Sequence, residues 1–170
     1  MVVKALGSSD VFQLAEKAKP VAKPGHLVVE VKATSVNPLD VMLRSIELPW
    51  SANLPEILHG DVAGIVTEVG EGITGFAIGD EVYGMAGGIN GTDGALAEFM
   101  LVDARLMAKK PTTLSMRQAA ALPLVAITAY EALVEKMNVA EGDQVLIHGA
   151  TGGVGHIAIQ LGKALDATIT

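Results

Sequence analysis

Gln144 to Thr170 reads QVLIHGATGGVGHIAIQLGKALDATIT, and the fold class turns on this stretch. The apolar centre of Gln144 to His148 makes it a short buried strand. Gly149-Ala150-Thr151-Gly152-Gly153-Val154-Gly155 then forms a glycine-rich loop. Behind it Val154, Ile157, Ala158, Leu161, Ala164 and Leu165 recur at one helical face, which predicts a helix over Val154 to Leu165. Asp166-Ala167 turns the chain and Thr168-Ile169-Thr170 opens another strand. This is a β-loop-α-β unit whose last strand has only begun, the building block of a doubly wound parallel sheet.

A glycine-rich loop between a buried strand and a helix has a specific physical use. It lets backbone amides and the positive end of the helix dipole approach a pyrophosphate. The order Ala150-x-Gly152-x-x-Gly155 follows the dinucleotide fingerprint, with Ala in place of its first Gly. Read without its context it is an ordinary strand-to-helix turn. Between a strand and an amphipathic helix it reads as a cofactor loop formed by Ala150, Gly152, Gly153, Val154 and Gly155. The residue that would read the adenosine ribose lies about 20 positions further on, past Thr170.

Working back from this unit, the chain changes character near residue 112. Ser115 and Gln118 form a capping-box signature. Pro123 interrupts the helix behind it, and a second helix is expected from Leu124 to Lys136. Before residue 112 the chain reads as strands and turns. His26 to Ala33 is a β-branched run entered through Lys23-Pro24-Gly25. Asp61 to Val69 is another, with a bulge or close backbone contact expected at Gly64. Short strands follow at Glu81 to Tyr83 and Ala95 to Val102, which together suggest a small barrel or sandwich.

Composition narrows the functions. The 170 residues carry 12 Lys plus Arg against 19 Asp plus Glu, a formal charge of −7, which disfavours nucleic acid as a partner. With 50% hydrophobic residues a packed core is expected, and with no cysteine there is no disulfide, thiolate metal site or cysteine nucleophile. No apolar run is long enough to span a membrane and the first residues lack a signal-peptide core, so a cytoplasmic protein is expected. No Gly-x-Ser-x-Gly elbow supports a hydrolase.

Several motifs in order resemble one family. They are Ser35-Val36-Asn37-Pro38-Leu39-Asp40, Gly60-Asp61-Val62-Ala63-Gly64-Ile65-Val66, Gly79-Asp80-Glu81-Val82, Ala121-Leu122-Pro123 through Thr128-Ala129-Tyr130, and Ile147 to Lys163. Together they resemble the zinc-lacking, quinone-oxidoreductase-like branch of the medium-chain dehydrogenase/reductase superfamily. The resemblance implies an α/β chain with a GroES-like barrel domain over 1–118, lacking its C-terminal return segment, and the start of a Rossmann domain over 119–170. Family members are roughly twice this length, so an N-terminal half is expected. The resemblance also implies an oxidoreductase that transfers hydride from NADP(H), ahead of NAD(H), to a quinone, enone or enal, as a homodimer. Asn37, Gly60 and Leu124 stand where the zinc dehydrogenases carry metal ligands, which implies no zinc.

The same resemblance ranks residues, and each has a plainer reading. Asn37 matches the asparagine beside the nicotinamide, or is a turn residue capping a helix from Leu39 to Arg44. Asp40 would position substrate or cofactor, or only favour the helix dipole. Met42 stands where quinone reductases often have a tyrosine proposed as proton donor, and Trp50 would line the substrate pocket or simply pack. Thr128 matches a threonine on the nicotinamide side, or bonds back to a carbonyl one turn earlier. His59 and Asp61, two apart on a strand, suggest no third metal ligand. The competing expectation is a non-catalytic GroES-like module that needs a partner chain.

Overall fold

The computed structural model describes residues 1–47 and 54–170. They fall into two compact units, Met1–Pro123 and Leu124–Thr170.

In the first unit, β1 (Val2–Val3) pairs with β2 (Phe12–Gln13) as a small ribbon. The main sheet follows from the β-branched runs: β3 (His26–Thr34), then helix α1 (Pro38–Ser45), β4 (Asp61–Val69), β5 (Glu81–Met85), β6 (Phe99–Asp103) and β7 (Met107–Lys109). Their order is β6-β3-β4-β5-β7, and every pair is antiparallel. The two edge strands, β6 and β7, are consecutive in the chain and joined only by the turn Ala104–Leu106. That link spans at most about 14 Å, whereas the edges of a flat five-stranded sheet lie about 19 Å apart. The sheet is therefore rolled, and its concave side encloses Leu27, Val29, Val62, Val66, Val82, Met100 and Val102. Alternation along each strand sorts these residues inward.

Gly64 marks a close approach rather than a loss of pairing. It sits opposite Val31, a register shift follows between Val31 and Ala33, and a Cβ at Gly64 would collide with the Glu30 carbonyl. The last strand of the sequence reading begins later than expected. Ala95 and Leu96 instead donate their amides to His59 O (2.8 Å) and Leu58 O (3.2 Å), so the ladder of β6 starts at Phe99. On the outer face, α2 (Met116–Ala120) places Ala119 and Ala120 against Ala63. The capping box closes it, with Gln118 N donating to Ser115 Oγ (3.3 Å) and Ser115 N to Gln118 Oε1 (2.9 Å). These two alanines, which follow residue 118, pack with the first unit.

Helix α3 (Pro123–Tyr130) has Pro123, the last residue of the first unit, as its first residue, and the rest of it opens the second unit. The expected helix to Lys136 continues, but Glu131–Lys136 winds as a π-helical turn in which Met137 N donates to Ala132 O at 3.0 Å. Then β8 (Gln144–Val145), α4 (Gly153–Ala164) and β9 (Thr168–Ile169) form a parallel β-α-β unit, Gln144 facing Thr168 and Val145 facing Ile169. The expected strand to His148 is shorter as a ladder, although Ile147 N still donates to Thr170 O at 2.9 Å. Ala129, Leu133, Val145 and Ala158 make the buried core, with Ile147, Val154, Ile157, Leu161 and Ile169 against it. A β-rich barrel followed by the start of a Rossmann-type α/β unit is thus the architecture.

Candidate functional site

In the first unit the polar interior gathers where β3 ends, α1 begins and β4 starts. Asn37 is the N-cap of α1, and its own amide donates to the Asp40 carboxylate (2.7 Å), one arm of a capping box. Its side chain is used elsewhere. Asn37 Nδ2 donates to Asp61 Oδ2 at 2.9 Å and to Ser35 Oγ at 3.2 Å, while Ser35 Oγ donates to the same Asp61 oxygen at 2.7 Å. A carboxylate only accepts, so the amide nitrogen must face Asp61, and the oxygen is the acceptor Asn37 has for the other arm of the box, toward the Asp40 amide. Asn37, Asp40 and Asp61 are all buried, at 6%, 5% and 0% exposure. Thr34 Oγ1 ties the start of β4 by donating to Asp61 O (2.7 Å).

His59 completes this cluster. It is buried, its Nδ1 has no hydrogen-bond partner, and burial lowers its pKa, with the nearby charges of Asp40 and Asp61 opposing the shift. The sequence reading weighed His59 and Asp61 only as a metal pair and overlooked Ser35. The available signal was Asp61 itself, a carboxylate at the head of an otherwise apolar strand. Among the described residues no group of three or more His, Cys, Asp or Glu side chains could hold a metal ion.

Met42 and Arg44 lie apart from that network. Met42 is exposed on α1, as are its neighbours Val41 and Ile46. Arg44 donates to Gly7 O (2.9 Å) and stacks over Phe12, a structural use. Trp50 lies outside the described residues.

In the second unit, Gly152 is the N-cap of α4 and brings no side chain to cap it. The first amides of the helix therefore point outward without an intrahelical acceptor. Gly149 and Gly152 close the turn by a 2.9 Å bond from Gly152 N to Gly149 O. The glycines differ in what they leave room for. A Cβ at Gly155 would run into Gly149 O and Ala150 Cα, so Gly155 is required by the loop's own packing. A Cβ at Gly152 would meet only Gly149 O, at 3.3 Å, and Gly152 is exposed. Nothing in the unit itself demands glycine at Gly152, whereas a Cβ at Gly153 would stand 3.0 Å from Val125 Cγ1, so the open space lies over Gly152. His156 folds back, its Nδ1 donating to Gly152 O at 3.0 Å. Thr128 is exposed and its hydroxyl donates to Leu124 O (2.7 Å), the plainer of its two readings.

Residues 23–112 match the alcohol dehydrogenase GroES-like domain, and the chain belongs to that family, within the quinone-oxidoreductase-like medium-chain dehydrogenase/reductases. It is similar to a 2-methylene-furan-3-one reductase of Solanum lycopersicum, 40% identical over 92% of this chain and 42% of that protein. Among solved structures it resembles an alcohol dehydrogenase superfamily protein from Novosphingobium aromaticivorans, with TM-score 0.92 and 43% identity over 99% of this chain and 52% of that one. It also resembles the Escherichia coli quinone oxidoreductase complexed with NADPH, with TM-score 0.81 and 31% identity over 99% and 50%. The chain thus spans about half the length of these relatives. Among the described residues no helix is long and apolar enough to cross a membrane.

Proposed function

We propose that the full product of this gene is a zinc-independent, NADP(H)-dependent oxidoreductase that reduces a quinone or an activated alkene such as an enone or enal. The observation that carries this reading is the helix N-terminus at Gly152, where that exposed glycine leaves room that the unit's own packing does not need. The similarity to a reductase of an alkylidene furanone and to an NADPH-complexed quinone oxidoreductase supports the substrate and cofactor classes. The reading includes a small-molecule substrate, a homodimer and a cytoplasmic location. It takes Met1–Pro123 as the catalytic barrel and Leu124–Thr170 as the start of the cofactor domain.

The bound nicotinamide would supply the hydride. The chain's contribution is binding and orientation. Amides of Gly152 to Gly155 would meet the pyrophosphate, with Ala150 shaping the loop and Thr128 on the nicotinamide side. The Asn37 oxygen, the atom opposite the bonded amide nitrogen, would accept from an N–H of the nicotinamide carboxamide. Asp40 acts by fixing Asn37 at the head of α1. Met42 and Trp50 would line the substrate side. A zinc ion does not suit this set of positions, because Asn37 offers only a neutral amide oxygen, Gly60 no side chain and Leu124 an apolar one.

The test is cofactor binding by Gly152→Val in the full product. Its isopropyl group would fill the space over the helix N-terminus and weaken NADPH binding by about 100-fold or more, with the melting temperature little changed. Unchanged affinity in a folded variant would overturn the site assignment.

A further inference from the structure

Four described non-glycine residues hold a positive φ: His59 (72°), Asn90, Asn138 and Asp166. The last three are exposed, and short Asn and Asp side chains tolerate this region. His59 is the bulky and buried case, at 8% exposure. Its backbone is held there from several sides. Gly94 N donates to Ile57 O (2.7 Å), Ala95 N to His59 O (2.8 Å) and Ala86 N to Gly60 O (2.9 Å). Gly88 lies so close that a Cβ on it would stand 2.8 Å from His59 N. Glycine would take this conformation without strain, whereas a side chain here costs about 1 kcal/mol or more. The fold nevertheless keeps an imidazole at this point, with an unpartnered Nδ1 beside the two carboxylates that fix Asn37.

We propose that His59 is a positioning residue for Asn37, acting through the Asp61 carboxylate that also holds Ser35. The proposal rests on the role given above to Asn37. A neutral ring leaves Asp61 Oδ2 to accept from Asn37 and Ser35. A proton on the ring would draw that carboxylate toward the imidazolium and loosen the carboxamide. The charged groups bearing on the ring are Asp40 from α1 and Asp61 from β4. The loop 87–94 presents backbone to it, and the loop's one charged side chain, Asp93, is engaged with Ile57 N and Lys17. Burial keeps the ring neutral near pH 7.

The test uses the full product, with His59→Asn, which tolerates the backbone, and His59→Gly, which relieves it. One readout is the Asn37 side-chain amide resonance followed against pH, and the other is NADPH-dependent reduction of a quinone and an enone. In the parent protein the Asn37 resonance should move with a midpoint below about 6.5, and it should stay fixed in both variants. The acid limb of kcat/KM should share that midpoint and vanish in the variants. One pH unit below that midpoint the variants should exceed the parent in kcat/KM by about tenfold, because only the parent's ring is then largely charged. An unaltered Asn37 titration, or a parental acid limb of kcat/KM in folded variants, would overturn the proposal. If the parent reduces neither substrate, the functional reading fails, and the Asn37 titration alone then decides on His59.

Discussion

Asp61 concentrates more consequence than any other side chain of the barrel. It is fully buried, and one of its oxygens serves both Ser35 and Asn37. Replacing it with alanine takes this acceptor from the buried Asn37 amide and the half-buried Ser35 hydroxyl, so Asp61→Ala should destabilise the protein by about 2–4 kcal/mol, read as a lower urea midpoint. Its neighbour His59 sets a pH dependence whose sign follows from its lowered pKa. The unfolded chain takes up a proton near pH 6.5 while the folded chain does not, so stability is full above that pH and declines below it. The slope from this one group is at most about 1.4 kcal/mol per pH unit. Urea midpoints between pH 8 and 5 should show the decline, and His59→Gly should flatten it. An equally steep decline in that variant would place the acid sensitivity elsewhere.

At the scale of elements, the two glycines of the α4 loop separate folding from binding. Gly155→Ala puts a methyl group into Gly149 O and Ala150 Cα, so it should lower the melting temperature of the second unit, whereas Gly152→Ala should not. A scan of both variants checks this, and equal melting would show that the loop adjusts. The sequence could not distinguish the two positions, because spacing marks both as fingerprint glycines while the distinction lies in what stands opposite each. Elements with a strict period were legible: the β-branched runs became β3 and β4, and α4 fell within one residue of its expected start. The misreadings came from tertiary partners. Ala95 and Leu96 look like strand but pair with the segment at Leu58 and His59, and the π turn after Tyr130 leaves no mark in the apolar pattern. The Asn37–Asp61 bond joins residues whose meeting depends on the pairing of β3 with β4, so sequence could nominate Asn37 but not its partner.

At the scale of the molecule, the two units are unequally equipped to fold alone. Met1–Pro123 has a rolled five-stranded sheet whose edges are brought together by Ala104–Leu106, and a core of residues buried on all sides. Leu124–Thr170 has a parallel pair, β8 and β9, with α4 across it. Parallel sheets are stable when both faces are covered, and two strands are marginal. Its apolar side chains show the deficit, with Leu146 64%, Met137 59% and Tyr130 49% exposed. Expressed separately, residues 1–123 should unfold in one cooperative urea transition with dispersed amide resonances, while 124–170 should show neither. In the 170-residue chain, hydrogen exchange should accordingly protect the amides of Val62 and Val66 far longer than those of Val145 and Ile147. Comparable protection in both units would mean that the β-α-β piece is stable as it stands. The glycine-rich loop ahead of α4 would then be preformed without further chain. Protection confined to the barrel would mean instead that the parallel pair β8 and β9 does not by itself hold the loop rigid, as expected of a two-stranded sheet with an uncovered face.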